Sequence, residues 1–568
     1  MPAIAGQLAR ATAGGISNPY LTSAHDSFAW VAMPFESVAA RSPGGAACPR
    51  AFPVAANGRV IQVKKCGAFV DDFYDRIHLA PALLELGNIV STQTSQISLW
   101  NAYRVAQTLT GIDGLEEGLA VAGSSGLPRV IAALQETTWN VSVTPDGPST
   151  LNAVLTWSFT GLPSPSLTIT GNRIVAWGFT PDWSEPVTES LTWLTDVLTS
   201  TSGAEQRRSL RLAPRRAFKA RILAEGRERA FFDLALAGWG AKQWALPVWA
   251  DGQWLAAALP VATRSIDCQT AHRDFVAGGL ALLRGVTAFD TEAVEIEAIT
   301  AAGLTLKRPT QIAWPAGSRL YPVRSARLAE QPEMARHTDR LLSVDVTFDV
   351  TEPCDWPARA PATLYRGHPV FEARPDESQD LSSTYERLLV TLDNTMGKPV
   401  VTDTARRAFP VRDHRWVLQG AAERAAFRSL IYALHGRQRA VWLPTHADDL
   451  RFTEIAKGSL LTVERIGYAR FGLNQLGRRD IRIELVDGTV LHRRITAAAE
   501  ADGNTEALVI DTELPAPIAP ADVGRISFMA LMRPADDAVE IEHLADVDGV
   551  ARSSLTWRGV RDDLEQAA

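Results

Sequence analysis

The sequence predicts a mainly β protein with short helices: an N-terminal immunoglobulin-like β-sandwich followed by two tandem homologous β-barrel or α+β modules. Three observations predict this. Short alternating runs recur between turn residues across residues 67–165. Further along, one series of markers occurs twice, as FTPDWSEPV, RRAF and ALPVWAD within 179–251, and as FEARPDES, RRAF and WLPTHAD within 371–448. Between those markers a helical hydrophobic period is confined to one short segment per copy.

Size and composition agree. At about 100–200 residues per domain, 568 residues imply three to five domains. With 46% hydrophobic and 21% charged residues the chain reads as folded, not disordered. A net charge of −7 argues against a strongly basic nucleic-acid binder. Cys48, Cys66, Cys268 and Cys354 form no CxxC pair, so zinc-ribbon and thioredoxin-like motifs are absent. Cys48 and Cys66 are read either as a pair or, better, as free thiols. The N-terminus lacks a continuous apolar leader and no window of eighteen apolar residues occurs, so folding in a cytosol and no membrane association are expected.

Taken in order, residues 1–66 are rich in Ala, Gly, Ser and Pro and read as an arm of irregular or short-stranded structure. Residues 67–165 read as the sandwich. Gly87-Asn88 fits a turn, and TWNVSV (138–143) and AVLTWSF (153–159) read as strands around the turn TPDGP. Trp100, Trp139 and Trp157 fit sandwich core better than a sugar-binding platform. The first module spans 171–352, a linker around CDWPARAPA spans 353–362, and the second module spans 363–568.

The two RRAF strings lie 191 residues apart and the two Leu-Pro dipeptides 197, which assigns DHRW (413–416) to a six-residue insertion. In the second copy Phe427, Leu430, Ile431 and Leu434 form one helical stripe that stops at Gly436, with Phe231, Leu234 and Ala235 in the matching places of the first. A period of two runs through Leu342, Val344, Val346, Phe348 and Val350, preceded by a turn at Trp314-Pro315-Ala316-Gly317. Asp487-Gly488 signals a hairpin after Ile481, Ile483 and Leu485, and 521–525 occupies the place of 315–319.

The chain carries no HExxH, P-loop or strand–GxGxxG–helix arrangement, and Gly123-Ser124-Ser125-Gly126 lacks the nucleophile-elbow spacing. His446, Asp448 and Asp449 converge within four residues, as a metal or acid–base site requires. In the first copy, however, only Asp251 matches, for Asp448, while Trp249 and Gly252 replace His446 and Asp449, so a turn fits better. Asp182, Glu185, Asp376 and Glu377 read as solvated turns and not as a glycosidase pair. No catalytic, cofactor-binding or metal-binding residue is therefore expected, and no enzyme. Arg215, Arg216, Arg406 and Arg407 recur as double arginines before a Phe. With Trp249 and Trp442 they are candidate interface residues, the arginines fitting an intersubunit or anion contact and a solvated strand edge equally well.

Several stretches resemble a known family. AERAAFRSLIYALHGRQRAVWLPTHADDL (422–450), WPAGSRLYPVRSARL (314–328) and RISFMALMRPADDAVEIEHL (525–544) are similar to tail-tip structural proteins of long-tailed bacteriophages, the distal tail and baseplate class. FYDRIHLAPALLELGNIVSTQTSQISLWNA (73–102) resembles an immunoglobulin-like domain fused to such proteins. The resemblance implies a virion structural protein, made in the bacterial host cytoplasm and located in the virion tail. It would form a ring at the tail tip or baseplate, connect the tail tube to hub or fibre proteins, and let DNA pass as cargo. Implied partners are further copies in a trimeric or hexameric ring, the tail tube, tape measure, hub and fibre proteins. A simple distal tail protein has one module; two here leave distal ring and hub component both open. The alternatives are a carbohydrate-binding host-recognition protein and, with least support, a cell-wall hydrolase.

Overall fold

The computed structural model describes the backbone of residues 52–56 and 59–63, and residues 73–565 apart from 124, 125, 146, 148, 149 and 548. Most of the expected arm, with Cys48 and Cys66, lies outside the described residues, as do Ser124 and Ser125. Within 1–66 an antiparallel hairpin pairs Phe52–Ala56 with Arg59–Val63. The chain divides into two compact units, Met1–Val175 and Ala176–Ala568.

Beyond that hairpin, nine strands among the described residues build the sandwich of the first unit: β1 (Ile77–Ala80), β2 (Leu83–Ile89), β3 (Gln93–Asn101), β4 (Gln107–Asp113), β5 (Leu119–Val121), β6 (Arg129–Ile131), β7 (Glu136–Val143), β8 (Thr150–Phe159) and β9 (Ser166–Arg173). They form two sheets, ordered β1-β3-β7-β5 and β2-β9-β8-β4-β6, antiparallel except for β2 beside β9. Alternation turns Trp139 and Val141 of one sheet and Leu155 and Trp157 of the other into one shared core. Trp100, Trp139 and Trp157 are all buried, so none offers an exposed platform. The strands expected at 138–143 and 153–159 exist but belong to different sheets, so they do not pair as a hairpin; part of the expected TPDGP turn lies outside the described residues. Gly87-Asn88 is not a turn between strands. Gly87, at φ 65°, sits inside β2 where the pairing with β9 slips register, so its left-handed backbone makes a bulge.

In the second unit the first module runs β10 (Val187–Thr192), β11 (Thr195–Thr199), β12 (Glu205–Ser209), β13 (Arg215–Glu225), α1 (Gly226–Trp239), β14 (Trp244–Pro247), β15 (Ser265–Asp267), β16 (Leu280–Arg284), β17 (Thr291–Ile299), β18 (Gly303–Leu306), β19 (Arg319–Leu328), β20 (Met334–Arg336) and β21 (Leu341–Val350). The second runs β22 (Ser383–Glu386), β23 (Leu389–Leu392), β24 (Val400–Asp403), β25 (Phe409–Gln419), α2 (Gly420–Leu434), β26 (Val441–Pro444), β27 (Leu460–Glu464), β28 (Asp480–Leu485), β29 (Val490–Glu500), β30 (Thr505–Ile510), β31 (Val523–Pro534), β32 (Ala538–His543) and β33 (Val550–Gly559).

Ten strand pairings correspond one to one; two short ones, Gln253–Trp254 with residues 319–320 in the first module and Leu364–Tyr365 with His368–Pro369 in the second, have no counterpart among the described residues. The first module pairs β10–β13, β11–β12, β13–β21, β14–β19, β15–β18, β16–β17, β16–β19, β17–β18, β19–β21 and β20–β21. Each of these ten antiparallel pairings recurs in the second module with labels twelve higher. Register recurs as well: Ala326 faces both Trp244 and Val350, as Met532 faces both Val441 and Gly559.

That register corrects the expected insertion. Gly226 and Gly420 open the two helices after an extended strand, both at positive φ (57° and 73°), and stand 194 residues apart. The RRAF strings, 191 apart, are therefore not equivalent in space: Arg215-Arg216 lie in β13 where Phe409-Pro410 lie in β25, and Arg406-Arg407 precede their strand. DHRW is no insertion but the middle of β25, opposite β33. The expected stripe on α2 is buried at Phe427, Leu430, Ile431 and Leu434, and the helix stops at His435 and Gly436, both left-handed. On α1 the stripe is not where the spacing put it: Phe232 is the buried residue, and Leu234 is 70% exposed.

One further pairing crosses between modules: β10 lies antiparallel to β32, Val187 opposite His543 and Leu191 opposite Val539. The 353–362 segment has no regular structure and lies along α2. Trp356 donates Nε1–H to Ser429 Oγ at 2.9 Å, and Tyr432 donates its hydroxyl to the Cys354 carbonyl at 3.0 Å. Among the described residues no helix is long and apolar enough to cross a membrane.

Candidate functional site

The junction between the modules holds a cluster of buried charges. In β10 a period of two turns Val187, Glu189 and Leu191 inward. Two of them meet apolar neighbours; Glu189, fully buried, meets cations. Its carboxylate accepts from Arg216 Nε at 2.8 Å, Arg428 Nη2 at 2.8 Å and His543 Nε2 at 3.0 Å. Arg216 also donates to Asp274, which Arg324 holds from the other side through Nε at 3.0 Å. Arg428 reaches Asp251 at 3.3 Å, and Arg424 donates to the Ala250 carbonyl at 2.8 Å. Four buried guanidiniums thus face three buried carboxylates, with Glu352 at the rim 3.3 Å from Arg324.

Glu189, Asp251, Asp274, Arg216 and Arg324 come from the first module, Arg424, Arg428 and His543 from the second. Burial by itself would raise the Glu189 carboxyl; Arg216 and Arg428, with His543, overcome it and hold the group well below the usual carboxylate range. Asp274 is lowered in the same way, against burial, by Arg216 and Arg324. Burial keeps His543 below an ordinary imidazole despite the pull of Glu189, so near neutral pH it serves as a neutral donor. Arginines do not lose protons in this range, so the cluster is suited to holding two surfaces in one register, not to moving a proton.

The positions singled out in the sequence distribute as follows. Arg216 is in this network and stacks on Phe218 at 4.8 Å. Arg215 and Arg406 are exposed, and Arg407 lies 3.6 Å from Asp563. Trp249 and Trp442 are interior residues, 1% and 2% exposed, and so present no face to another chain. His446, Asp448 and Asp449 do not converge. His446 is buried, Asp448 pairs on the surface with Arg451 at 2.8 Å, and Asp449 accepts from Thr445 and from the Phe528 amide. Asp251 and Asp448, the aspartate common to both copies, therefore differ in role: one closes the junction, the other is a surface ion pair.

Asp182 and Asp376 share a role. Each accepts from the amide and hydroxyl of the serine two residues on, and each donates its own amide to the strand behind, Asp182 to the Arg221 carbonyl and Asp376 to that of Arg415. They are turn-closing residues; Glu185 and Glu377 pair outward with Arg221 and Arg374. A second polar pocket contains Arg412, His414, His446 and Asp449. Burial, then the charge of Arg412, takes His414 down to about 3; burial, then Arg482, takes His446 to about 4.

Sequence reasoning missed Glu189, Asp274, Arg324, Arg424, Arg428 and His543. The available signals were Glu189 at the inward parity of an otherwise apolar alternation, and Arg424 and Arg428 four apart on the face of an apolar helix. Among the described residues no group of three or more His, Cys, Asp or Glu is placed to hold a metal ion. No family model matches the chain, and no curated protein matches it in sequence.

Proposed function

We propose that this chain is a structural protein of a phage tail tip or baseplate, forming a trimeric or hexameric ring that connects the tail tube to hub or fibre proteins and leaves a passage for DNA. The supporting observation is that two modules with the same ten pairings meet edge to edge and are locked by a buried ionic network. A tandem duplication read in this way supplies two quasi-equivalent units per chain, six from three chains or twelve from six. The first unit is read as an immunoglobulin-like domain, since β1-β3-β7 packs against β9-β8-β4 with β2 running parallel to β9.

The reading is non-enzymatic, in keeping with a charged cluster built for rigidity. The carbohydrate-binding alternative loses its aromatic platform, because Trp100, Trp139 and Trp157 lie in the sandwich core. An antibody against the full chain, applied to tailed particles purified from cells that make it, tests the reading by electron microscopy. Label at the distal end of the tail is expected; particles without the chain, or label confined to the head, would contradict it.

A further inference from the structure

The internal repeat leaves one contact unused. β10 has two strand neighbours, β13 and β32; its counterpart β22 has one, β25, among the described residues. Likewise β32 is paired by β33 and β10, whereas its counterpart β20 is paired by β21 alone among the described residues. Every residue of β20 and of β22 is exposed. Unpaired strand edges are templates for another strand, and proteins cover them unless they are used.

Two further surfaces follow the same division. The β11–β12 hairpin of the first module lies on the second: Thr195 donates to Asp537 at 2.7 Å, and Glu205 accepts from Arg533 Nε and Nη2, each at 2.8 Å. The equivalent β23–β24 hairpin exposes Leu389, Val390, Leu392 and Val401, each more than half accessible, and Met396 at 95%. Such a cluster of apolar side chains marks an interaction site. Similarly, α2 is covered by the first module through Arg424 and Arg428, while α1, whose first turns pack on Phe289 of its own module, leaves Leu234 exposed at the place Arg428 holds in α2.

We propose that copies of this chain join one to the next by the contact that joins the two modules within it. The β22 edge and β23–β24 hairpin of one copy take the β20 edge and α1 face of the next. This deepens the structural reading above and rests on its claim that the chain assembles. The contact is head-to-tail, so it closes into a ring when the rotation permits. Register follows from equivalence: within the chain Glu189 faces Ile541, and their counterparts are Ser383 and Met334.

The test uses the full chain carrying Ser383→Cys and Met334→Cys, oxidised at concentrations where the protein associates. Residues directly opposite on antiparallel strands have Cβ atoms about 4.5–5.5 Å apart, within disulfide reach after small adjustment. The double variant should give reducible linked species absent from either single variant and from the unsubstituted chain. Association without linkage would overturn this interface while leaving ring assembly standing; a strict monomer at every concentration would overturn both. A second variant, Val390→Asp with Val401→Asp on the exposed hairpin, should keep its thermal transition and weaken association at least tenfold. Unchanged association would overturn the hairpin's role. Linked oligomers from a chain absent from tailed particles would remove the tail-tip reading and keep the interface.

Discussion

Replacing Glu189 by Gln removes one charge and almost no volume at the junction of the modules. The carboxylate holds Arg216 at 2.8 Å, Arg428 at 2.8 Å and His543 at 3.0 Å, all buried. Removing one partner of a buried ion pair leaves charge uncompensated in a poor solvent and costs about 3–5 kcal/mol. Asp251 and Asp274 still neutralise part of that charge, which places the expectation at about 3 kcal/mol, a shift of roughly a hundredfold in the unfolding equilibrium. The control is Glu185→Gln, whose carboxylate is half-exposed against a partly exposed Arg221, a pair that solvent screens, so little change is expected. Urea unfolding followed by tryptophan fluorescence measures both, the Ala176–Ala568 transition being monitored through Trp193 and Trp416. Because Glu189 titrates lower in the folded than in the unfolded chain, its stabilisation is full above about pH 4.5 and lost as pH falls through the folded value. The difference between wild type and variant should therefore shrink in acid. A loss below about 1 kcal/mol at neutral pH, or one equal to that of the control, would refute the assignment of the cluster as the lock between modules.

The buried histidines give a second pH dependence. His414 and His446 titrate at about 3 and about 4 when folded, against 6.5 for an unperturbed imidazole, so the unfolded chain binds more protons between those values. They cost folding nothing above pH 6.5, and stability should fall by about 1.4 kcal/mol per pH unit per histidine as pH drops toward 4 and the unfolded chain protonates first; urea midpoints independent of pH from 6.5 to 4.5 would contradict it. Asp182→Ala and Asp376→Ala should each lower the urea midpoint modestly, through the loss of turn hydrogen bonds at the surface. The two costs should match in urea titrations, because the residues close the same turn; a much larger loss in one alone would break the equivalence. Trp157→Ala should destabilise the Met1–Val175 unit by about 3–5 kcal/mol with the Ala176–Ala568 transition unmoved, as fluorescence-detected melting would show.

The repeat was legible where backbone geometry demanded a particular residue type. Asp182 and Asp376 close identical turns, and the Trp/Leu/Pro strands β14 and β26 occupy identical places. The strict alternation at 342–350 became β21, and Asp487-Gly488 became the β28–β29 hairpin. RRAF misled because a matching string carries no information about register. Its second occurrence lies three residues early, and what the strands preserve is inward parity, with Arg216 and Phe218 in β13 at the places of Pro410 and Arg412 in β25. Gly87-Asn88 misled because left-handed glycine serves a bulge as well as a turn. The ionic network was illegible for a different reason. Glu189 meets Arg428 239 positions later and His543 354 positions later, and no local pattern announces a charge pair at such separation.

Class averages from electron micrographs of assembled full-length chain, viewed down the assembly axis, test the central claim most directly. The predicted result is a closed ring with two similar lobes per 61.6 kDa chain, six lobes from three copies or twelve from six. Single separated particles, or rings with one lobe for each chain, would contradict it.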